Sequence, residues 1–135
     1  MGSVWDTDTV SEYLQGKNPH VMRRGSAYLK QHPQAPLSII TRYEILRGLK
    51  AKGATTKRAA FEVFWQQQQA LPITDAIITI AADLWAGLYR AGQIIGDNDI
   101  LIAATALRHG LAVATGNVAH FSRIPGLTVE DWTKP

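Results

Sequence analysis

Short apolar runs alternate with longer amphipathic stretches along this chain, and that alternation limits the folds open to it. Val4-Trp5 reads as the end of a first strand. Pro36-Leu37-Ser38-Ile39-Ile40, Leu71-Pro72-Ile73, Leu111-Ala112-Val113-Ala114-Thr115 and Leu127-Thr128-Val129 read as four more. The stretches between them carry helix signals. Thr9-Val10-Ser11-Glu12 and Thr41-Arg42-Tyr43-Glu44 have capping-box spacing. Asn18-Pro19 opens another helix, with proline in its first turn. Helices are also expected over residues 55–69, with Ala59, Val63 and Phe64 on one face, and over 75–91. A further one spans 99–109 and is stopped by Gly110. Strands separated by helices predict an α/β domain of three layers, with a central, mainly parallel sheet of four to five short strands flanked by helices. One domain over residues 1–135 accommodates the whole pattern.

Composition narrows the function classes. Hydrophobic residues make up 46% and charged residues 19%, as in ordinary globular domains. No apolar run approaches the roughly 20 residues of a membrane span, so no membrane role is expected and a cytoplasmic location is compatible. There is no cysteine, which excludes disulfides and thiolate zinc sites. Fourteen Lys and Arg against eleven Asp and Glu leave a net charge of +3, too mild by itself to indicate nucleic acid.

The placement of the acids says more. Asp6 and Asp8 follow the first strand; Asp97 and Asp99 open a late helix. Carboxylates repel, and the usual reason to gather them is a hard divalent cation. In parallel α/β sheets the carboxyl ends of the strands form the ligand-binding rim. Asp6, Glu44, Asp99 and Asn117 can all reach that rim. Each has a plainer reading. Asp6 or Asp8 could cap the first helix, Glu44 could complete a capping box or pair with Arg47, and Asn117 could be a turn residue. Asp97 and Asp99 compete for one cap, which leaves one free.

Four ordered motifs carry a resemblance. They are Trp5-Asp6-Thr7-Asp8-Thr9, Ile40-Thr41-Arg42-Tyr43-Glu44-Ile45, Gly96-Asp97-Asn98-Asp99-Ile100-Leu101-Ile102-Ala103-Ala104 and Ala114-Thr115-Gly116-Asn117-Val118-Ala119-His120-Phe121. Together they resemble the PIN-domain family, in particular the VapC toxin ribonucleases of bacterial toxin–antitoxin pairs. The resemblance covers essentially the whole chain. It implies Mg²⁺- or Mn²⁺-dependent hydrolysis of RNA, leaving a 3′-hydroxyl and a 5′-phosphate. It also implies metal ligation by Asp6, Asp99 and Glu44, with Asn117 completing the catalytic rim. The implied partners are tRNA as the favoured RNA, a small cognate antitoxin and a second copy in a homodimer. Many relatives carry an acid at the position of His120 and some at that of Asn117. His120 could contact RNA or simply sit on the surface, and the surface is the reading favoured here.

Arg42 and Arg47 flank Glu44 and are the expected RNA contacts. Two rivals stand beside this reading. One is a PIN fold that has lost catalysis and only binds. The other is a haloacid-dehalogenase-like phosphatase with Asp6 as nucleophile, which fails because its late acidic motif would precede its threonine motif.

Overall fold

The structure, a computed structural model, describes residues 1–135. The elements run β1 (Ser3–Trp5), α1 (Thr7–Gln15), α2 (Pro19–Gln31), β2 (Pro36–Ser38), α3 (Ile39–Ala51) and α4 (Thr55–Gln66). Then follow β3 (Gln69–Leu71), α5 (Asp75–Arg90), α6 (Asp97–His109), β4 (Ala112–Thr115), α7 (Val118–Phe121) and β5 (Val129–Asp131).

All strand pairings are parallel, as the alternation predicts. They fall into two ladders, β1-β4-β5 and β2-β3, rather than one continuous sheet. β2 lies beside β1 without joining its ladder. β3 stops at Leu71 because Pro72 has no N–H to offer, so the expected strand through Ile73 is cut short.

Adjacent residues of β1 and β4 point into different cores. Val4 pairs with Val113 and both join the cluster of Ile77, Ile102, Ala103 and Phe121. Trp5 pairs with Ala114 and both join the cluster of Val10, Leu37, Phe61, Phe64 and Trp132. That period of two is how a strand buries both faces. Trp5 is the centre of the second core, with ring centroids 5.2 Å from Tyr13 and 5.1 Å from Trp132.

Helix starts depart from the capping-box expectations. The first helix begins at Thr7, and Asp6 is its cap, accepting from the Thr9 N–H. Ser38 caps α3 by accepting from the Ile40 N–H, so Thr41 and Glu44 lie inside the helix and form no box. Gly96 stands at the cap position of α6, and neither Asp97 nor Asp99 caps it. Asn18 caps α2 and Gly110 ends α6 in the left-handed region, both as expected. On α4 the buried residues are Phe61 and Phe64; Val63 is exposed.

Candidate active site

Asp6 sits where β1 becomes α1. Its N–H completes the ladder by bonding the Ala114 carbonyl at 3.1 Å. Its side chain is 3% exposed, and both oxygens are used. Oδ1 accepts from the Thr9 N–H at 2.9 Å, and Oδ2 accepts from Thr115 Oγ1 at 2.6 Å. Burial pushes its pKa up from 3.8 to about 6, despite the lowering effect of those two threonines.

Glu44 projects from the second turn of α3. Its Oε1 accepts from Thr7 Oγ1 at 2.6 Å, and Thr7 Oγ1 lies 3.0 Å from Thr41 Oγ1. Since the Thr7 proton goes to the carboxylate, the buried Thr41 hydroxyl donates to Thr7. This relay ties the first turn of α1 to α3.

Asp99 is the third residue of α6. Burial raises its pKa, the charges of Glu44 and Asp8 raise it further, and His120 offsets part of the rise. Glu44, Asp97, Asn98 and Asp99 line one cleft. Glu44 also lines a second groove with Thr7, Asp8, Arg47 and Lys52. It is therefore the shared wall between an acidic cleft and a groove that carries Arg47 and Lys52.

Asn117 closes the rim. Its backbone N–H donates to Thr115 Oγ1 at 2.7 Å, so that hydroxyl receives one proton and passes its own to Asp6. The Asn117 side-chain Nδ2 lies 2.8 Å from His120 Nδ1, and the same ring nitrogen lies 3.6 Å from Asp99 Oδ2. A chain of contacts thus runs from Asp6 through Thr115, Asn117 and His120 to Asp99.

The two arginines part company. Arg42 turns to α4, ion-paired with Glu62 and 5.7 Å over the Trp65 ring. Arg47 stays on the Glu44 side, 5.1 Å over the Tyr43 ring. Helical spacing explains the split: positions three apart share a face and positions two apart do not. The two expected RNA contacts thus lie apart, Arg42 against α4 and Arg47 beside Glu44. His120 is at the surface, with its side chain 42% exposed, and borders Asp99.

Thr7, Thr115 and His120 are the residues that the motifs do not place in the site. A hydroxyl between two acids, as in Asp6-Thr7-Asp8, is the one local signal for the first. Nothing local marks Thr115, since the acid it holds is 109 residues away, whereas His120 stands where many relatives carry an acid.

The family described as PIN domain matches residues 4–127. The chain belongs to the PIN-domain family. Its PIN-domain relatives include a protein named ribonuclease VapC1 from Rickettsia felis, 34% identical over 136 residues, covering 96% of this chain and 95% of that one. A tRNA(fMet)-specific endonuclease VapC from Salmonella typhimurium is 30% identical over 128 residues, covering 94% of this chain and 95% of its own. The PIN fold here also matches the crystal structure of DNA-bound VapBC from Salmonella typhimurium, with a TM-score of 0.85 at 29% identity over 98% of this chain and 99% of that chain.

Proposed function

We propose that this PIN domain is a VapC-type endoribonuclease toxin that hydrolyses RNA phosphodiester bonds with Mg²⁺ or Mn²⁺, with tRNA as the favoured substrate. The observation that carries this reading is the placement of Glu44 from α3 with Asp97 and Asp99 from α6 along one cleft, with Asp8 from α1 beside Glu44 in the adjoining groove. Holding like charges together is costly unless a cation offsets them.

The donors fit such an ion. All are hard oxygens, as Mg²⁺ prefers. As they stand, no three acidic or histidine side chains are close enough to chelate an ion directly. Asp6, Glu44 and Asp99 would hold such a cation in part through its own waters. When bound, it would neutralise developing charge and lower the pKa of a bound water. The protein's own part is positional. Thr115 and Thr9 fix the Asp6 carboxylate in one orientation. Thr7 fixes Glu44 and leaves Oε2 free to orient a water. Arg47 and Lys52, along the groove beside Glu44, supply cationic contacts for the RNA backbone.

Relatives named VapC and the solved VapBC assemblies support a small cognate antitoxin as partner. A slot between α1, α3 and α4 suits it, with Leu14, Ile45, Leu49 and Phe61 as its floor and Lys17 and Lys57 beside them. Trp5, Tyr13 and Tyr28 do not line it: Trp5 is buried, and the two tyrosine rings pack edge-on against it. A second copy fits on α5, whose exposed face carries Ile78, Trp85 and Tyr89. No helix is long and apolar enough to cross a membrane. The reading places the protein with its RNA in the cytoplasm.

The test is cleavage of unfractionated tRNA by the purified protein with Mg²⁺ or Mn²⁺, with product ends sequenced. Discrete cuts that vanish in chelator and in Asp99→Asn are expected. RNA left intact with both ions would overturn the reading in favour of a binding-only PIN domain. Cuts that persist in chelator would remove the metal from it.

A further inference from the structure

His120 touches both ends of the rim, yet the reaction as described gives it no task. Its Nδ1 has two neighbours. Asn117 Nδ2, at 2.8 Å, is within hydrogen-bond distance, whereas Asp99 Oδ2, at 3.6 Å, is too far. An amide NH₂ can only donate, so Nδ1 accepts from it. A neutral imidazole that accepts at Nδ1 carries its proton on Nε2. Nε2 lies on the opposite edge of the ring, makes no hydrogen bond within the protein, and belongs to a side chain that is 42% exposed. Asn117 is itself braced, since its N–H bonds the Thr115 hydroxyl that also holds Asp6. The structure therefore presents beside Asp99 a braced N–H donor with no partner inside the protein.

We propose that His120 contacts the substrate, donating its Nε2–H to a phosphate oxygen of the RNA next to the scissile bond, with Asn117 as the residue that sets the ring's tautomer and orientation. This rests on the ribonuclease reading above. A rim of carboxylates repels a polyanion, and Arg47 and Lys52 lie on the groove side of Glu44, away from the Asp97–Asp99 cleft. His120 borders Asp99 at the edge of that cleft, where the Asn98 amide is the other neutral donor. It needs no net charge to act, because an N–H to a phosphate is a charge-assisted bond in any case.

The experiment compares His120→Ala, His120→Gln and His120→Asn. Gln places an amide N–H where Nε2 stood, and Asn places one where Nδ1 stood. Cleavage of unfractionated tRNA in Mn²⁺ is followed for kcat and KM, and tRNA binding is measured in chelator. Ala and Asn are expected to raise KM and weaken binding by roughly 10- to 100-fold, as for a lost hydrogen bond to a charged group. Gln should stay within about threefold of the wild type. Rescue by Asn and not Gln, or no change in any variant, overturns the proposal. Nitrogen-correlated NMR of the neutral His120 ring reads the tautomer without any RNA: Nε2–H is expected, and Nδ1–H overturns the proposal. If the wild type neither binds nor cuts RNA, the ribonuclease reading fails, and the NMR result still tests the Asn117–His120 arrangement.

Discussion

Thr115 Oγ1 donates to Asp6 Oδ2 across 2.6 Å inside the protein, from a hydroxyl that itself accepts from the Asn117 N–H at 2.7 Å. One threonine at the end of β4 thereby holds the acid at the end of β1 and the turn that opens α7. The bond lowers the Asp6 pKa, and burial outweighs it, leaving a value of about 6 against an ordinary 3.8.

The sign of that shift gives a first prediction. A carboxyl whose folded pKa is raised favours the folded state below the unfolded pKa, and that contribution is lost as pH rises through about 6. For this residue the loss amounts to about 3 kcal/mol. Asp6→Asn should therefore be more stable than the wild type in chelator at pH 7.5, by about 1–2 kcal/mol in urea unfolding. The advantage should disappear near pH 4, where Asp6 is protonated. Thr115→Val removes the donor and should lower stability at pH 7.5 by about 1–2 kcal/mol. Asp99→Asn should also stabilise the metal-free protein, since burial and the Glu44 and Asp8 charges raise that carboxyl. A lower melting temperature for that variant in chelator would count against the cluster.

Glu44 offers a separation of roles. Ser38 is the helix cap, so Glu44→Gln should leave thermal stability nearly unchanged while cleavage falls at least about 100-fold. Thr7→Val leaves the carboxylate and removes its tether, and roughly a 10- to 100-fold loss of activity is expected. Full cleavage by Glu44→Gln would make Glu44 structural.

Arg42 and Arg47 should behave differently. Arg47→Ala is expected to weaken RNA binding and flatten its salt dependence, because one phosphate contact is lost. Arg42→Ala should leave RNA affinity intact, since its guanidinium is committed to Glu62 and Trp65. Filter binding over a salt series separates the two.

Gly25 is a packing requirement of the crossing between α1 and α2. A Cβ there would stand 2.5 Å from Tyr13 Cδ1 and 3.2 Å from the Trp5 ring. Gly25→Ala must push aside a buried aromatic cluster, and about 1–3 kcal/mol of destabilisation should appear in urea unfolding.

The α5 face is tested by association. Ile78, Ala82, Trp85 and Tyr89 follow one another at helical spacing, with Asp75 at one end and Arg90 at the other. Two antiparallel copies would set each Asp75 near the partner's Arg90. Trp85→Glu should convert a dimer to a monomer in sedimentation while leaving the fold intact; a wild type that is already monomeric at high concentration excludes this interface.

Much of the fold is legible in the order of residues alone. The apolar runs are parallel strands, the proline and asparagine at α2 act as expected, and Gly110 ends α6. The departures share a cause. Thr9 with Glu12, and Thr41 with Glu44, have the right spacing for caps, but the residues that cap are Asp6 and Ser38, where β1 and β2 end. A cap is chosen by where the chain leaves the strand, and strand length depends on partners far along the sequence. The single turn of α7 gives too short a pattern for periodicity to reveal.

Residue order by itself settles which chemical groups stand at the ends of the elements: carboxylates after β1, on α3 and at the start of α6, with an amide after β4. Tertiary packing decides what those groups can do. It buries Asp6 and occupies both its oxygens, gives Glu44 a hydroxyl tether, and turns Arg42 away while leaving Arg47 in the groove. It also sets His120 between Asn117 and Asp99. Local spacing governs which element a residue joins, whereas desolvation, charge proximity and hydrogen-bond partners depend on side chains from distant segments, which meet only when the layers close.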